Sequence, residues 1–254
     1  MPKWLEVMLE MDNIALVDHL DKETFSREDI YIAAVQLEPD FKQTNMRNLM
    51  EKLQDSGSII RVGRNQYSRN SREKQIYIGN YSDEAAQIRE EMESSYKHLD
   101  YQVWELNWFN EFCNHLIGQN RIIVDVENDA CEFVFLTLVE QHDDRLLLRP
   151  TIKELQYYTV PDAVLITRLA SETPRNKIDT HSISLERLIV EMFANRTIRS
   201  MLPVGDYPDI LERMFEKYAI DQSKLFRYAR RRNREREIME FIKKNTNIKL
   251  IVEG

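Results

Sequence analysis

Glycine is scarce in this sequence, which has 6 glycines among 254 residues. A globular protein ordinarily contains about 7% glycine. Gly57 and Gly63 come nearest to a phosphate-binding spacing, but five residues separate them where a Walker loop has four, and Arg64 follows. No pair fits a G-x-G-x-x-G loop either. We therefore do not expect nucleotide binding through a glycine-rich loop, and we expect no cofactor.

Cysteine and long apolar stretches are scarce as well. Cys113 and Cys131 are too few for a disulfide framework, so we expect a reduced compartment. Together with His115 they match no recognised zinc spacing. The longest strongly apolar stretch, residues 133–139, is far shorter than the roughly 20 residues of a membrane span. Charged residues also interrupt the apolar residues at the start of the sequence, so we expect no signal-peptide core there. These features predict a cytoplasmic protein without a metal or a membrane partner.

The net charge of −8 conceals an alternation of acidic and basic segments. Residues 1–41 carry −7 and residues 76–220 carry −11, whereas residues 42–75 and residues 221–254 each carry +5. The local field matters more than the total charge when a polyanion docks. Two basic segments in an acidic chain therefore keep nucleic acid open as a partner.

Three helical patterns come first in the chain. The first covers residues 2–20. The second follows Ser26, which begins the sequence S-x-x-D with Asp29, an acidic relative of the capping box, and Pro39 ends it. The third begins at Thr44 and repeats apolar residues at helical spacing.

A hairpin pattern follows these helices. Residues 59–62 are typical of a short strand, residues 63–65 of a turn, and residues 66–68 of a returning strand. Three helices and a tight hairpin in this order predict a winged helix-turn-helix domain over residues 1–70. We expect a second domain over residues 71–254.

The third helix and the hairpin carry the residue types that contact DNA. Asn, Gln and Arg side chains can bond base edges in a major groove, and Arg and Lys can bind phosphates. The candidate DNA-binding residues are Lys42, Gln43, Thr44, Asn45, Arg47, Asn48, Lys52, Arg61, Arg64, Asn65, Arg69 and Arg72. The alternative is a winged-helix module that binds protein and has a merely solvated polar face. Glu51 counts against DNA, because its charge repels phosphate.

Strand and helix patterns alternate after residue 75. Strands are predicted at 75–78, 101–106, 121–126, 145–149 and 163–169, with helices after Ser82, at 108–116, at 129–140 and after Ser184. Trp104, Trp108 and Phe109 are expected in the core. Several connections are too short for a crossover helix. The pattern predicts an α/β domain with a mixed sheet flanked by helices.

Three carboxylates raise the alternative hypothesis that the protein is an enzyme. Asp125 and Glu127 close a buried strand, and Glu105 closes another, so they could hold Mg²⁺ in a nuclease or nucleotidyltransferase. The acid-x-Lys and Gly-Ser sequences that those enzymes use are not near them. The other interpretation is that Asp125 and Glu127 end a strand and help to cap the next helix. We therefore expect no enzyme and no catalytic residue.

The second domain is predicted to end in a strongly basic helix. Residues 224–244 contain nine basic and three acidic residues. Arg227, Arg230, Arg231, Arg232 and Arg234 are candidates for contact with DNA phosphates or with an acidic protein partner. The alternative is a solvated helix or a connector.

Five segments resemble a known family. They are Gly57–Tyr67 (GSIIRVGRNQY), Val103–Trp108 (VWELNW), Ile123–Asp129 (IVDVEND), Ser184–Phe193 (SLERLIVEMF) and Leu225–Arg231 (LFRYARR). The sequence is similar to AbiEi-like antitoxins of type IV toxin–antitoxin systems, which act in abortive infection, and to related bacterial proteins of unknown function.

The resemblance implies two roles for the protein. The winged helix would bind inverted repeats in its own promoter and repress it, and two protomers could occupy the two half-sites. The second domain would counteract a nucleotidyltransferase-like toxin without forming a stable complex with it. The family has no catalytic motif that could be transferred to this sequence.

Overall fold

The computed structural model describes residues 13–70, 74–142, 145–157, 160–176 and 178–251. The chain forms two compact units of mixed α and β structure. The first unit extends to Ile76 and also includes Phe215–Lys224 and the residues from Lys249 onward. The second unit consists of Tyr77–Met214 and Leu225–Ile248. The domain boundary expected at residue 70 leaves out the two later segments of the first unit.

The first unit contains three described helices and three strands. They are α1 (Asn13–Asp18), β1 (Thr24–Phe25), α2 (Arg27–Leu37), α3 (Met46–Asp55), β2 (Ile59–Gly63) and β3 (Gln66–Arg69), with a 3-10 turn at Gln43–Asn45 before α3. The helix predicted over residues 2–20 falls mostly outside the described residues, which include only its last turns.

Local sequence signals explain how α2 and α3 begin. The Ser26 hydroxyl accepts a hydrogen bond from the Asp29 amide, and the Asp29 carboxylate accepts one from the Ser26 amide at 2.8 Å. The predicted capping box is therefore confirmed, and α2 ends before Pro39 as expected. Thr44 lies in the 3-10 turn, so α3 starts two residues later than predicted.

The strands of the first unit form an antiparallel sheet of order β1-β3-β2. Arg64 and Asn65 join β2 to β3, and Asn65 has a φ of 54°, a left-handed conformation that asparagine tolerates well. The hairpin is confirmed. The two-residue strand β1 is too short to be predicted from periodicity.

The second unit begins with α4 and ends with α11. Its elements are α4 (Asp83–Ser95), β4 (Tyr101–Glu105), β5 (Arg121–Val126), α5 (Cys131–His142), β6 (Leu146–Leu148), α6 (Ile152–Tyr157), β7 (Ala163–Arg168), α7 (Leu185–Ala194), α8 (Arg196–Met201), α9 (Tyr207–Lys217), α10 (Gln222–Arg231) and α11 (Glu235–Asn245). The first residues of α10 and the last of α9 belong to the first unit. No helix in the described part of the chain is long and apolar enough to cross a membrane.

The sheet of the second unit is mixed, as predicted, with the order β4-β5-β7-β6. β4 pairs antiparallel with β5, whereas β7 runs parallel to both β5 and β6. One face carries Val103, Val124 and Ile166, which are fully buried in a cluster with residues of α4 and α5. The other face carries Trp104 and Asp125, and α7 covers it through contacts described below.

Three predicted elements are wrong. Residues 75–78 form no strand, and Gln75 makes only an isolated bridge to Tyr218. The helix predicted at 108–116 is a 3-10 helix over Leu106–Glu111, after which the side chain of Asn110 accepts a hydrogen bond from the amide of Ile117. The basic C-terminal helix is broken by Asn233, whose φ is 55°, and becomes α10 and α11.

Candidate nucleic-acid interface

Helix α3 separates an apolar face from a polar one. Met46, Leu49, Met50 and Leu53 are buried in the core of the first unit. The predicted contact residues of α3 and the turn before it lie mostly on the other side: Lys42, Gln43, Thr44 and Arg47 are exposed, and Asn45, Asn48 and Lys52 are half-buried. These seven side chains are therefore at least partly accessible to solvent.

Arg47 is an exposed cation of α3 that forms an ion pair within the helix. Its Nε lies 3.1 Å from Oε1 of Glu51, one turn later, and the two side chains are 82% and 58% exposed. Exposed pairs at this spacing typically contribute about 0.3–0.5 kcal/mol. A phosphate or a base edge can therefore compete with Glu51 for the guanidinium.

The hairpin tip presents a second accessible cation. Arg64 is exposed, and its side chain makes no hydrogen bond or ion pair with the described residues. Beside it, Oδ1 of Asn65 accepts a hydrogen bond from the amide of Arg27 at 3.2 Å. This bond links the turn to the start of α2.

Arg61 and Arg69 make intramolecular contacts that the sequence did not indicate. Arg61 donates to the Gly63 carbonyl at 3.2 Å and lies 3.7 Å from the Asp221 carboxylate. Arg69 donates to the carbonyl oxygens of Asp18 and Leu20, which a helix end leaves without helical partners. These two arginines are engaged within the first unit. Arg72 lies outside the described residues.

Most arginines of the basic C-terminal segment are already paired. Arg230 lies 2.5 Å from Glu235, Arg232 lies 3.2 Å from Glu191, Arg234 lies 2.6 Å from Glu237, and Arg231 donates to the Ser171 hydroxyl at 2.8 Å. Arg227 is exposed and makes no side-chain bond among the residues described. Intramolecular partners thus satisfy four of the five predicted contact residues.

The three carboxylates of the predicted magnesium site do not come together. Gln102 pairs with Asp125 across β4 and β5, whereas Glu105 pairs with Ile122. Since successive residues point to opposite faces, Glu105 and Asp125 lie on different faces and about 10 Å apart along the strands. Glu127 is exposed beyond the end of β5. Across the described ranges, no group of three or more acidic, histidine or cysteine side chains could hold a metal ion.

The buried carboxylates instead serve the fold. Glu105 accepts hydrogen bonds from the amide of Ser82 at 2.8 Å and from Asn120 at 2.8 Å. Asp125 accepts bonds from Nε1 of Trp104 at 2.8 Å and from the Thr167 hydroxyl. The interpretation that Asp125 caps the next helix is therefore wrong, and Glu127 makes no side-chain cap bond either.

Asp125 also belongs to an ionic network that sequence reasoning missed. Arg187 of α7 pairs with Asp125, and its Nε lies 3.9 Å from Oε1 of Glu191. The Tyr228 hydroxyl donates to Glu191 at 2.6 Å, and Arg232 approaches it from a less buried side. The sequence signal was two charged residues four apart in a helix whose remaining residues from 185 to 193 are mostly apolar.

The network holds its charges in a dry environment. Burial opposes the charge on Arg187, but attraction to Asp125 and Glu191 outweighs it and raises the pKa of Arg187 above its usual value. Burial, followed by the charge of Glu191, raises the pKa of the Tyr228 phenol. The arrangement therefore holds Arg187 as a fixed positive charge.

These observations define a mixed α/β protein with two sheets and an accessible basic surface on its first unit. The chain belongs to a family of unknown function, DUF6577, which it matches over residues 45–248. No curated protein matches the sequence. The crystal structure of the Rv2827c protein from Mycobacterium tuberculosis is a weak match, with 11% identity and a TM-score of 0.35 over 94% of this chain and 77% of that one.

Proposed function

We propose that the first unit is a winged helix-turn-helix domain that binds double-stranded DNA, with α3 in the major groove. The order of helices, the short β1 and the β2–β3 hairpin support this proposal, since a winged helix has the same order. In this arrangement the polar side of α3 faces base edges. The turn of Arg64 and Asn65 forms the wing.

The accessible charge of α3 and the hairpin is the observation that carries the proposal. Lys42, Arg47 and Arg64 are exposed. Residues 42–75 carry a net +5, within a chain whose total is −8. A basic surface of this kind attracts the phosphate backbone and positions the helix, while side chains such as Asn48 read bases.

The biological role that fits this activity is autorepression by an antitoxin. The resemblance to AbiEi-like antitoxins supports it, through the segment after Ser184 and the hairpin sequence. We propose that the protein is cytoplasmic and not an enzyme, that it binds inverted repeats upstream of its own coding sequence, and that it counteracts a nucleotidyltransferase-like toxin without a stable complex.

Binding to labelled DNA from upstream of the coding sequence tests the DNA proposal. The double variant Arg47→Ala/Arg64→Ala should bind at least about tenfold more weakly than the native protein, since two cations that neutralise phosphates are removed. It should also flatten the plot of log K against log salt by about 1.8, because each neutralised phosphate contributes about 0.9 to the slope. Fluorescence anisotropy at several salt concentrations measures both quantities.

Arg196→Ala is the matched control. It removes one exposed arginine of the second unit that has no side-chain partner among the described residues. Its affinity and its salt slope should stay at the native values. Native binding that is undetectable at moderate salt, or a double variant that binds normally, would overturn the proposal.

Co-expression tests the antitoxin role separately. We expect a nucleotidyltransferase to be encoded beside this protein, and cells that express that nucleotidyltransferase should grow when this protein is present and stop growing when it is absent. Because DNA binding and neutralisation are assigned to different units, Arg47→Ala/Arg64→Ala should relieve repression and still protect growth. Loss of both functions in this variant would contradict the separation, and absence of protection by the native protein would refute the antitoxin role.

A further inference from the structure

A cavity of about 220 Å³ lies within the second unit, on the face of the sheet that carries Asp125. Its inner wall is formed by Leu106, Ile123, Leu165 and Ile198, which are all at least 95% buried. Met201 of α8 closes one side of the cavity. These five side chains offer an apolar surface to anything that enters.

The polar part of the cavity is cationic. Three arginines line it, Arg121, Arg149 and Arg168, and the described lining residues include no Asp or Glu. Arg149 follows β6 and Arg168 ends β7, so both lie at the carboxyl ends of neighbouring parallel strands. This edge of a parallel sheet is where ligands commonly bind.

The two rim arginines differ in how they are held. Nη2 of Arg149 donates to the carbonyl oxygen of Asn128 at 2.7 Å and to its side-chain oxygen at 3.1 Å, which fixes the guanidinium. The side chain of Arg168 is exposed and has no bonding partner among the described residues. Arg168 can therefore donate to a guest without losing an existing bond.

Nearby negative charge is already neutralised. The Thr167 hydroxyl, which also lines the cavity, donates to Asp125, and that carboxylate is paired with Arg187. An anion at the rim thus meets a net positive lining. A purely apolar guest would leave this charge unused, and a bare inorganic anion would leave the apolar wall in contact with water.

We propose that this cavity binds a small carboxylate with an apolar body, with its carboxylate on Arg168 and Arg149 and its body against Ile123, Leu165 and Ile198. A cavity of about 220 Å³ suits a guest of a single ring or a short chain. The guest is therefore smaller than most drug-sized ligands, whose pockets measure about 300–1,000 Å³.

Titration of the full chain with sodium benzoate tests the proposal. Isoleucine-methyl NMR gives the location, since the methyl signals of Ile123 and Ile198 should shift and those of Ile30, in the core of the first unit, should not. Calorimetry gives the affinity. Benzamide, the neutral counterpart, should bind at least about tenfold more weakly, because it lacks the charge-assisted hydrogen bonds. Inorganic phosphate should also bind more weakly than benzoate.

Arg168→Gln should weaken benzoate binding by at least about fivefold, and its control Arg196→Gln should leave it unchanged. Arg196 is an exposed arginine of α8 that does not line the cavity. Absence of benzoate binding up to about 10 mM would overturn the proposal. Equal binding of benzamide would overturn the role of the arginines, and phosphate binding as tightly as benzoate would overturn the role of the apolar wall. Binding without a shift at Ile123 or Ile198 would exclude this cavity.

Discussion

Replacing Arg187 by methionine removes the central cation of the buried ionic network. The side chains of Arg187, Asp125 and Glu191 are 3%, 5% and 2% exposed. Methionine keeps an unbranched apolar side chain in the same space but has no charge. Glu191 would keep Arg232 as a partner at 3.2 Å, whereas Asp125 would keep only neutral hydrogen-bond donors among the described residues.

The loss of stability comes from leaving the buried Asp125 carboxylate without a positively charged partner. Removing one partner of a buried ion pair destabilises a protein by about 3–5 kcal/mol, and we expect that fall in the free energy of unfolding for Arg187→Met. Urea unfolding followed by tryptophan fluorescence measures it. Arg236→Met is the control, since Arg236 pairs with Glu240 at 2.8 Å and the same i,i+4 spacing but is 92% exposed. Solvent screens that pair, so no measurable loss is expected.

The double variant Arg187→Met/Asp125→Asn isolates the charge from the change in shape. Because asparagine is neutral, the double variant should be more stable than Arg187→Met alone by about 1 kcal/mol or more. The reasoning is refuted if Arg187→Met costs less than about 1 kcal/mol, or if Asp125→Asn deepens the loss.

Two further predictions concern a capping residue and a glycine. The hydrogen bond from Lys22, followed by bonds within the capping box, lowers the pKa of Asp29 from 3.8 to about 2, so its contribution to stability is complete above about pH 4 and is lost as the pH falls towards 2. The difference in melting temperature between the native protein and Asp29→Asn should therefore shrink between pH 5 and pH 2, and a constant difference would contradict this. At Gly79 an added Cβ would lie 2.3 Å from the buried ring of Trp108, so Gly79→Ala should cost about 1–3 kcal/mol in urea unfolding. Gly205→Ala should not lower the stability, because nothing lies within 4 Å of its added Cβ. Equal stability of the two variants would refute the steric argument.

Local signals in the sequence predicted much of the fold. Ser26, Ser82 and Ser184 each cap a helix through a side-chain hydrogen bond, as their positions before an apolar pattern indicate. Helix α6 was missed although Thr151 and Glu154 form a capping box, because its apolar pattern is too short to stand out.

Contacts between distant parts of the chain could not be predicted in the same way. Arg187 and Asp125 are 62 residues apart, and only the pairing of strands with α7 brings them together. The same holds for Phe215–Lys224, which joins the first unit although its sequence continues the second. The exposed face of α3 was predictable because it depends on a single helix, whereas the contacts of Arg61 and Arg69 depend on other segments.

Strand β7, one of the two inner strands of the larger sheet, is the last of its four strands to be made. Until residues 163–168 leave the ribosome, β5 and β6 each present an unpaired edge on the side that β7 later fills. Such edges are templates for pairing with other chains. A polypeptide released between Leu148 and Ala163 would keep both edges permanently, so we expect interrupted translation in that interval to yield aggregates or chaperone-bound chains.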